Sequence, residues 1–386
     1  MKNTRQDHAP AARWIVSAVF FMCGSFVGLW ASRIPDIKAA AGLDESGFGM
    51  LLLVMACGAF AAFPLTGKLV DRKGAAPVTK VFTAATAGSF LLIGLTPSTP
   101  LLAPALFLGG FSFGALDVAM NGWGSEIEAR LGRPLMNSFH GLFSLGAGAA
   151  AAAGGFAIEA GLSIPVHFGL WFALSVPLLA RTALQRWHSE ISAAGEKTRA
   201  PLFAVPKGAL VFVGLIALVA ALGEGAVTDW AALYQIVDLG YAGSIAPTAF
   251  TVFSVAMVIM RLSGDRIIAR FGPVPVARVS GVVAFLGCLL FVSGVNIWIV
   301  WAGAFVMGLG YAVLFPIAMS RAASDPVMSK GAALAAVATL GYGAFLFGPP
   351  LLGFVGDLIS LRASFLAVAL LTVSLPFLAG ALKVKP

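Results

Sequence analysis

From Arg13 to the C-terminus, long apolar stretches alternate with short polar gaps about a dozen times, and the gaps are by turns rich and poor in Lys and Arg. A hydrocarbon core of about 30 Å is crossed by about 20 helical residues, with shorter runs rescued by tilt or snorkelling. On that ruler the chain predicts twelve spanning helices. Six lie near 14–32, 48–67, 78–96, 101–125, 138–158 and 164–180, and six near 208–235, 245–262, 279–295, 296–320, 331–356 and 363–382. Helix breakers mark the joints: Pro35 ends the first helix, Pro97 and Pro100 separate the third from the fourth, and Pro165 opens the sixth. Only Ser293, Gly294 and Asn296 mark the joint between the ninth and tenth. Gly348-Pro349-Pro350 interrupts the backbone ladder of the eleventh and predicts a kink there.

Composition agrees with the pattern. Of 386 residues, 59% are hydrophobic and 11% charged, about half the charged share of a soluble globule. Lys and Arg accumulate on the cytoplasmic side of membrane proteins. Only Arg33, Lys38 and Arg362 fall in the odd-numbered gaps; the other 22 of the 25 basic residues lie at the termini, in the even-numbered gaps or, as Lys80 and Arg261, in the turn of a predicted helix that borders one. Both termini are therefore expected in the cytoplasm. The net charge of +8 follows from this topology and needs no nucleic-acid partner. Trp14, Trp30, Trp298 and Trp301 fall at predicted helix ends, as an aromatic belt requires.

The longest gap separates the helices six and six, giving a bundle over 1–182, a cytoplasmic linker over 183–206 and a second bundle over 207–386. An internal repeat follows the split. Gly67-x-x-x-Asp71-Arg72-x-Gly74, after the second helix, returns as Gly264-Asp265-Arg266 with Gly272 after the eighth. Two related six-helix halves predict an all-α membrane protein that works by alternating access.

Gly67-Lys68-Leu69-Val70-Asp71-Arg72-Lys73-Gly74 is similar to the signature loop of the major facilitator superfamily, and the resemblance extends over nearly the full length. In that family such loops latch the cytoplasmic ends of the two halves, which assigns a latch to Gly67, Asp71, Arg72, Gly74, Gly264, Asp265 and Arg266. A narrower resemblance lies in Gly110-x-x-x-Gly114-x-x-Asp117-x-x-x-Asn121, Phe139-His140-Gly141-x-x-Ser144-x-Gly146 and Glu224-Gly225-Ala226-x-x-Asp229-Trp230. These stretches resemble fucose-permease-like sugar/proton symporters and a related bacterial inner-membrane subgroup of unsettled substrate. The resemblance implies a role in substrate binding and proton coupling for Asp117. It gives none to Asp36, which falls at the outer end of the first predicted helix.

Physical chemistry singles out the same acid. An ionised Asp in the middle of a spanning helix costs about 2.5–3.5 kcal/mol on insertion scales, so Asp117 must face a cavity or a partner. Asn121 is one turn on, placed to bond it. Glu224 and Asp229 are five residues apart, about 140° around a helix, and face different ways. Trp230 and Tyr234 beside Asp229 suit a sugar ring. His140 opens the fifth helix near the cytoplasmic surface, Arg33 sits at the outer end of the first as a gate or anion contact, and Tyr311 and Tyr342 offer donors in the second half.

Gly110-Phe111-Ser112-Phe113-Gly114 spells a nucleophile elbow, but it lies within one apolar helix rather than at a strand-to-helix corner. No phosphate loop, His-Glu-x-x-His pattern or paired cysteines occur, so no enzyme activity, metal or cofactor is expected. The expected function is a monomeric secondary transporter moving a small polar solute, a sugar or polyol, by proton symport. Its rivals are proton-antiport efflux of drugs or metabolites and a non-transporting membrane sensor on the same fold.

Overall fold

The computed structural model describes residues 9–96, 99–132, 135–189, 205–328 and 330–383, and every element in them is helical. In chain order these are α1 (Ala9–Ala41), α2 (Glu45–Lys73), α3 (Ala75–Leu95), α4 (Thr99–Leu131), α5 (Met136–Glu159), α6 (Ile164–Leu184), α7 (Ala209–Val237), α8 (Thr248–Phe271), α9 (Pro273–Ser293), α10 (Ile297–Tyr311), α11 (Leu314–Ala323), α12 (Lys330–Leu358), α13 (Leu361–Thr372), α14 (Ser374–Leu378) and a closing 3-10 turn over Ala379–Leu382. Eleven spans among the described residues are long and apolar enough to cross a bilayer, with α10 and α11 forming one and α13, α14 and the closing turn another. The exception is α8, which carries Arg261, Asp265, Arg266 and Arg270 within 24 residues.

The chain divides into two compact units. One holds residues up to Gly42 and from Leu51 to the end of the described part of the linker; the other holds Leu43–Met50 and the described chain from Val205 on. The predicted linker is seen only at its ends, since residues 190–204 lie outside the described residues. The first unit is drawn together by small residues. A β-carbon at Gly24 or Gly28 of α1 would overlap the carbonyls of Phe143 and Ala147 in α5, and one at Gly146 would overlap the Phe21 carbonyl in return. Without water to squeeze out, such close backbone contact is what holds membrane helices together. Around it Phe20, Trp123 and Phe139 are fully buried, with Phe20 stacked on Phe139 at 5.3 Å.

The same unit is stitched at its polar ends. Trp187, past the end of α6, donates from Nε1 to Glu126 Oε2 at 2.7 Å and lies under the Arg130 guanidinium at 4.1 Å. Ser189 Oγ accepts from the Ala76 amide at 2.9 Å. In the second unit Tyr234, Phe291 and Phe365 form an aromatic knot with centroids 4.8–5.4 Å apart. The short segment Leu43–Met50 belongs to it too: Phe48 meets Trp230 edge-on at 5.9 Å, and Ser46 Oγ donates to Asp357 Oδ2 at 2.9 Å. The start of α2 thus belongs to the second unit and the rest of that helix to the first.

Three expectations change. Pro35 does not end the first helix: α1 runs on to Ala41, because a proline removes only one helical donor, and the chain turns instead at Gly42, whose φ is +65°. Asp36 therefore lies within α1. The repeated motifs lie not in loops but in the last turns of α2 and α8, each stopped by the next glycine in register. Gly74 and Gly272 have φ/ψ of 85°/158° and 81°/160°, and their amides bond Val70 and Ile268 carbonyls at 2.8 Å each. Consequently α9 starts at Pro273, six residues before its predicted start at 279. The faint joint at Gly294 is real, with φ +61° there and Asn296 Oδ1 accepting the Ile299 amide at 3.0 Å. Pro349 and Pro350 leave α12 unbroken along its length.

That backbone region at Gly272 is closed to side chains, so Gly272→Ala is expected to destabilise the protein by about 1–3 kcal/mol in denaturant unfolding in detergent. A control Gly67→Ala, where a β-carbon meets open space, is expected to change little. A second test concerns Asp325, in the gap between α11 and α12. Burial disfavours its charge, yet the amides of Met328 and Val327 and the Arg321 guanidinium outweigh that and hold the carboxyl below its ordinary value. A carboxylate lowered in the folded state stabilises above its unfolded pKa, and that contribution disappears as pH falls through the folded value. Asp325→Asn is therefore expected to lower the unfolding midpoint at neutral pH, with the deficit shrinking in acid.

Candidate functional site

In the first unit three of the expected residues form one hydrogen-bonded line. Asp117 is 18 residues into α4 and 14 from its end, about 27 Å and 21 Å along the axis, so it sits near the middle of the helix. Asn121 Nδ2 donates to Asp117 Oδ1 at 3.2 Å and to the Asp117 carbonyl at 2.8 Å. Its Oδ1 lies 3.1 Å from His140 Nε2, which donates in the Nε2–H tautomer. All three side chains are half-buried rather than sealed.

His140 reaches this line because α5 begins against the flank of α4. Glu128, near the end of α4, accepts the Leu135 amide at 2.6 Å and the Met136 amide at 3.0 Å, capping the start of α5. One turn later the imidazole faces Asn121, with Phe20 edge-on at 5.3 Å. Sequence placed His140 at the surface; the docking of α5 on α4 places it beside the deep acid.

The second unit holds an ion pair that sequence half missed. Glu224, midway along α7, is joined by Arg261 of α8, with Nη2 at 3.4 and 3.5 Å from the two carboxylate oxygens. A predicted eighth helix ending at 262 puts Arg261 in its last turn, among the cytoplasmic end charges. Since α8 continues to Phe271, Arg261 lies ten residues inside it, about 15 Å from its end. The side chains retain 16% and 31% exposure, and the bond is longer than the 2.7–2.9 Å of a closed charge-assisted contact.

Asp229 faces away from that pair, as the five-residue spacing requires. It lines a narrow crevice with Gly225 of α7 and Phe345, Gly348 and Pro349 of α12, and no hydrogen bond reaches its carboxylate among the described residues. In α12 the two prolines deprive the Phe345 and Leu346 carbonyls of helical donors. Trp230 and Tyr234, expected to offer ring faces near Asp229, are instead 1% and 0% exposed. Trp230 packs on Phe48, and Tyr234 donates to the carbonyls of Phe291 and Val292 at 3.4 and 3.2 Å.

The other expected residues are placed as follows. Arg33 is 4% exposed and spends its donors on His167 Nδ1 at 3.1 Å, Asp36 Oδ2 at 2.6 Å and the Leu162 carbonyl at 2.7 Å, bracing α1 against α6. Tyr311 is buried in the second unit, bonded to Thr372 at 2.6 Å and Cys288 at 3.4 Å. Tyr342 is half-buried and tilted on Phe315 at 6.0 Å. Gly67, Asp71 and Arg72 occupy the last turns of α2, and Gly264, Asp265 and Arg266 those of α8. A β-carbon at Gly264 would press within 2.8 Å of Val313, which explains that glycine by packing. Ser112 of the elbow-like motif is buried in α4, bonded to Ser89 at 2.8 Å, with no base beside it.

Comparison with known proteins agrees with this architecture. The profile of the Major Facilitator Superfamily matches residues 15–342 and 213–386. An uncharacterized transporter, y4wD, of Sinorhizobium fredii is 40% identical over 95% of this chain and 97% of its own length. An uncharacterized MFS-type transporter of Yersinia pestis is 32% identical over 92% and 91%, and the membrane protein MosC of Rhizobium meliloti 27% identical over 93% and 88%. Among solved structures, a D323A mutant of the nucleoside transporter NupG superposes with a TM-score of 0.76 at 12% identity, covering 97% of this chain and 100% of its own. Two repeated helical halves, polar groups held at mid-helix and a family match over almost the whole length make this chain an integral membrane transporter, not an enzyme, and a member of the major facilitator superfamily.

Proposed function

We propose that the chain moves a small polar solute, a sugar or polyol, across the bacterial inner membrane by alternating access, with protons as the coupled ion and both termini on the cytoplasmic side. The observation that carries this reading is the line Asp117–Asn121–His140. A carboxyl group at mid-helix with one amide partner is a poor structural element, since its remaining oxygen lone pairs ask for water or a solute. As an exchangeable proton site it is economical: the amide bridges the acid to an imidazole, the side chain whose charge changes nearest neutral pH. The sugar class rests on the likeness to fucose-permease-like symporters.

In the second unit, Glu224 and Arg261 supply an acceptor and a donor within one contact, suited to adjacent hydroxyls. Their looseness supports a pair that a solute opens, in contrast with Arg33, whose three tight bonds mark a brace. Efflux by antiport gains no observation here, and neither does a sensor role.

Asp117→Asn is expected to abolish accumulation driven by an imposed pH gradient in proteoliposomes while keeping solute exchange. Equal accumulation by variant and parent would remove the acid from the coupling. Glu224→Gln takes the carboxylate away from Arg261 at mid-helix, where an uncompensated charge costs on the order of 2.5–3.5 kcal/mol on insertion scales. Its folded yield in membranes is expected to fall, and the double variant Glu224→Gln/Arg261→Gln to recover it; no recovery would mean that the pair is not coupled.

A further inference from the structure

Where α7 begins, the second unit has a groove of about 690 Å³ that none of the transport residues touches. Three cations line it, Lys207, Arg321 and Lys383, against one acid, Asp325, for a net lining charge of +2. The acid is already occupied: it accepts Arg321 Nη1 at 3.1 Å and the amides of Val327 and Met328 at 3.0 Å each. Arg321 is 7% exposed, and its Nε is buried with no hydrogen-bond partner among the described residues, a costly omission for a charged donor. Lys207 and Lys383 stand exposed at the rim.

The backbone contributes as well. Gly208, with φ +56°, turns the chain into α7, and the first bonds back are those of Leu210 and Val211 to Lys207 and Gly208. Among the described residues the amides of Gly208 and Ala209 therefore open the helix without a backbone acceptor, at its partially positive end. Side-chain cations, an unsatisfied buried guanidinium nitrogen and a helix N-terminus converge on one place. Phosphate is the group that such a set suits best.

The remaining wall says which phosphate. Phe212 and Phe377 line the groove and are 50% and 81% exposed, in helices that span the bilayer. A free phosphate has no use for an aromatic wall continuous with the lipid-facing surface, whereas an acyl chain does. We propose that this groove binds an anionic phospholipid, its phosphate held by Lys207, Arg321, Lys383 and the start of α7, and its acyl chain laid against Phe212 and Phe377. The site is separate from the transport line and stands whether or not the proposed solute is correct. With the positive-inside orientation the lipid belongs to the inner leaflet, where juxtamembrane cations attract anionic headgroups.

The test is native mass spectrometry and thermal unfolding of the purified full-length protein in detergent, titrated with phosphatidylglycerol, phosphatidylcholine or inorganic phosphate. Phosphatidylglycerol is expected to remain bound to the parent and raise its unfolding temperature, with phosphatidylcholine and phosphate doing neither. Lys207→Gln/Lys383→Gln, which changes only exposed side chains, is expected to weaken phosphatidylglycerol binding by about ten- to thirtyfold at unchanged helical content. Phe377→Ser is expected to weaken phosphatidylglycerol retention as well, through the lost acyl contact alone. Equal retention of phosphatidylglycerol by parent and double variant, equal retention of phosphatidylcholine, or full reproduction of the effect by inorganic phosphate would each overturn the proposal.

Discussion

Charge inside hydrocarbon is expensive, and that single constraint organises the polar anatomy of this chain. An ion at mid-helix persists only with a partner or with access to water. Arg33 meets the rule completely, with three bonds that close it off. Glu224 and Arg261 meet it loosely, at 3.4–3.5 Å, and Asp117 meets it through one amide. Asp229 has no bonded partner among the described residues and shares a crevice with Gly348 and Pro349 of α12. The gradation runs from Arg33 to Asp229, with Asp117, the acid of the proposed proton path, between them.

The bundle that carries them is built without a hydrophobic drive between helices. Close approach replaces it, as where Gly24 and Gly28 let α1 meet the backbone of α5. The stops are equally economical. Gly74 and Gly272 adopt nearly the same conformation at matching places in the two halves, each ending one helix and starting the next. A duplicated sequence motif thus returns as a duplicated backbone turn.

Hydropathy made the helices legible because lipid imposes one length and one polarity on every span. The twelve predicted helices are all present, and the joints at Pro165 and Gly294 stand where expected. Ends were less legible where a breaker was read alone. Pro35 removes one hydrogen bond and leaves α1 intact, while the charges of α8 hid nine further helical residues and so concealed how far Arg261 lies from the end of the helix. Partnership was legible along one helix and not between helices. Asn121 beside Asp117 follows from a four-residue spacing, but His140 arrives through the docking of α5 on Glu128, which no spacing encodes. For the same reason Trp230 and Tyr234 looked available in sequence, when other elements cover their rings.

The account turns on whether the acid of α4 opens onto a watery path. Water-accessibility labelling decides this directly: in a protein whose Cys23, Cys57 and Cys288 are replaced, a single Asp117→Cys thiol is treated with a charged, membrane-impermeant reagent and then with a lipid-soluble one. Modification by the charged reagent, slowed by a transported solute, is the predicted result. A thiol that only the lipid-soluble reagent reaches would contradict the account.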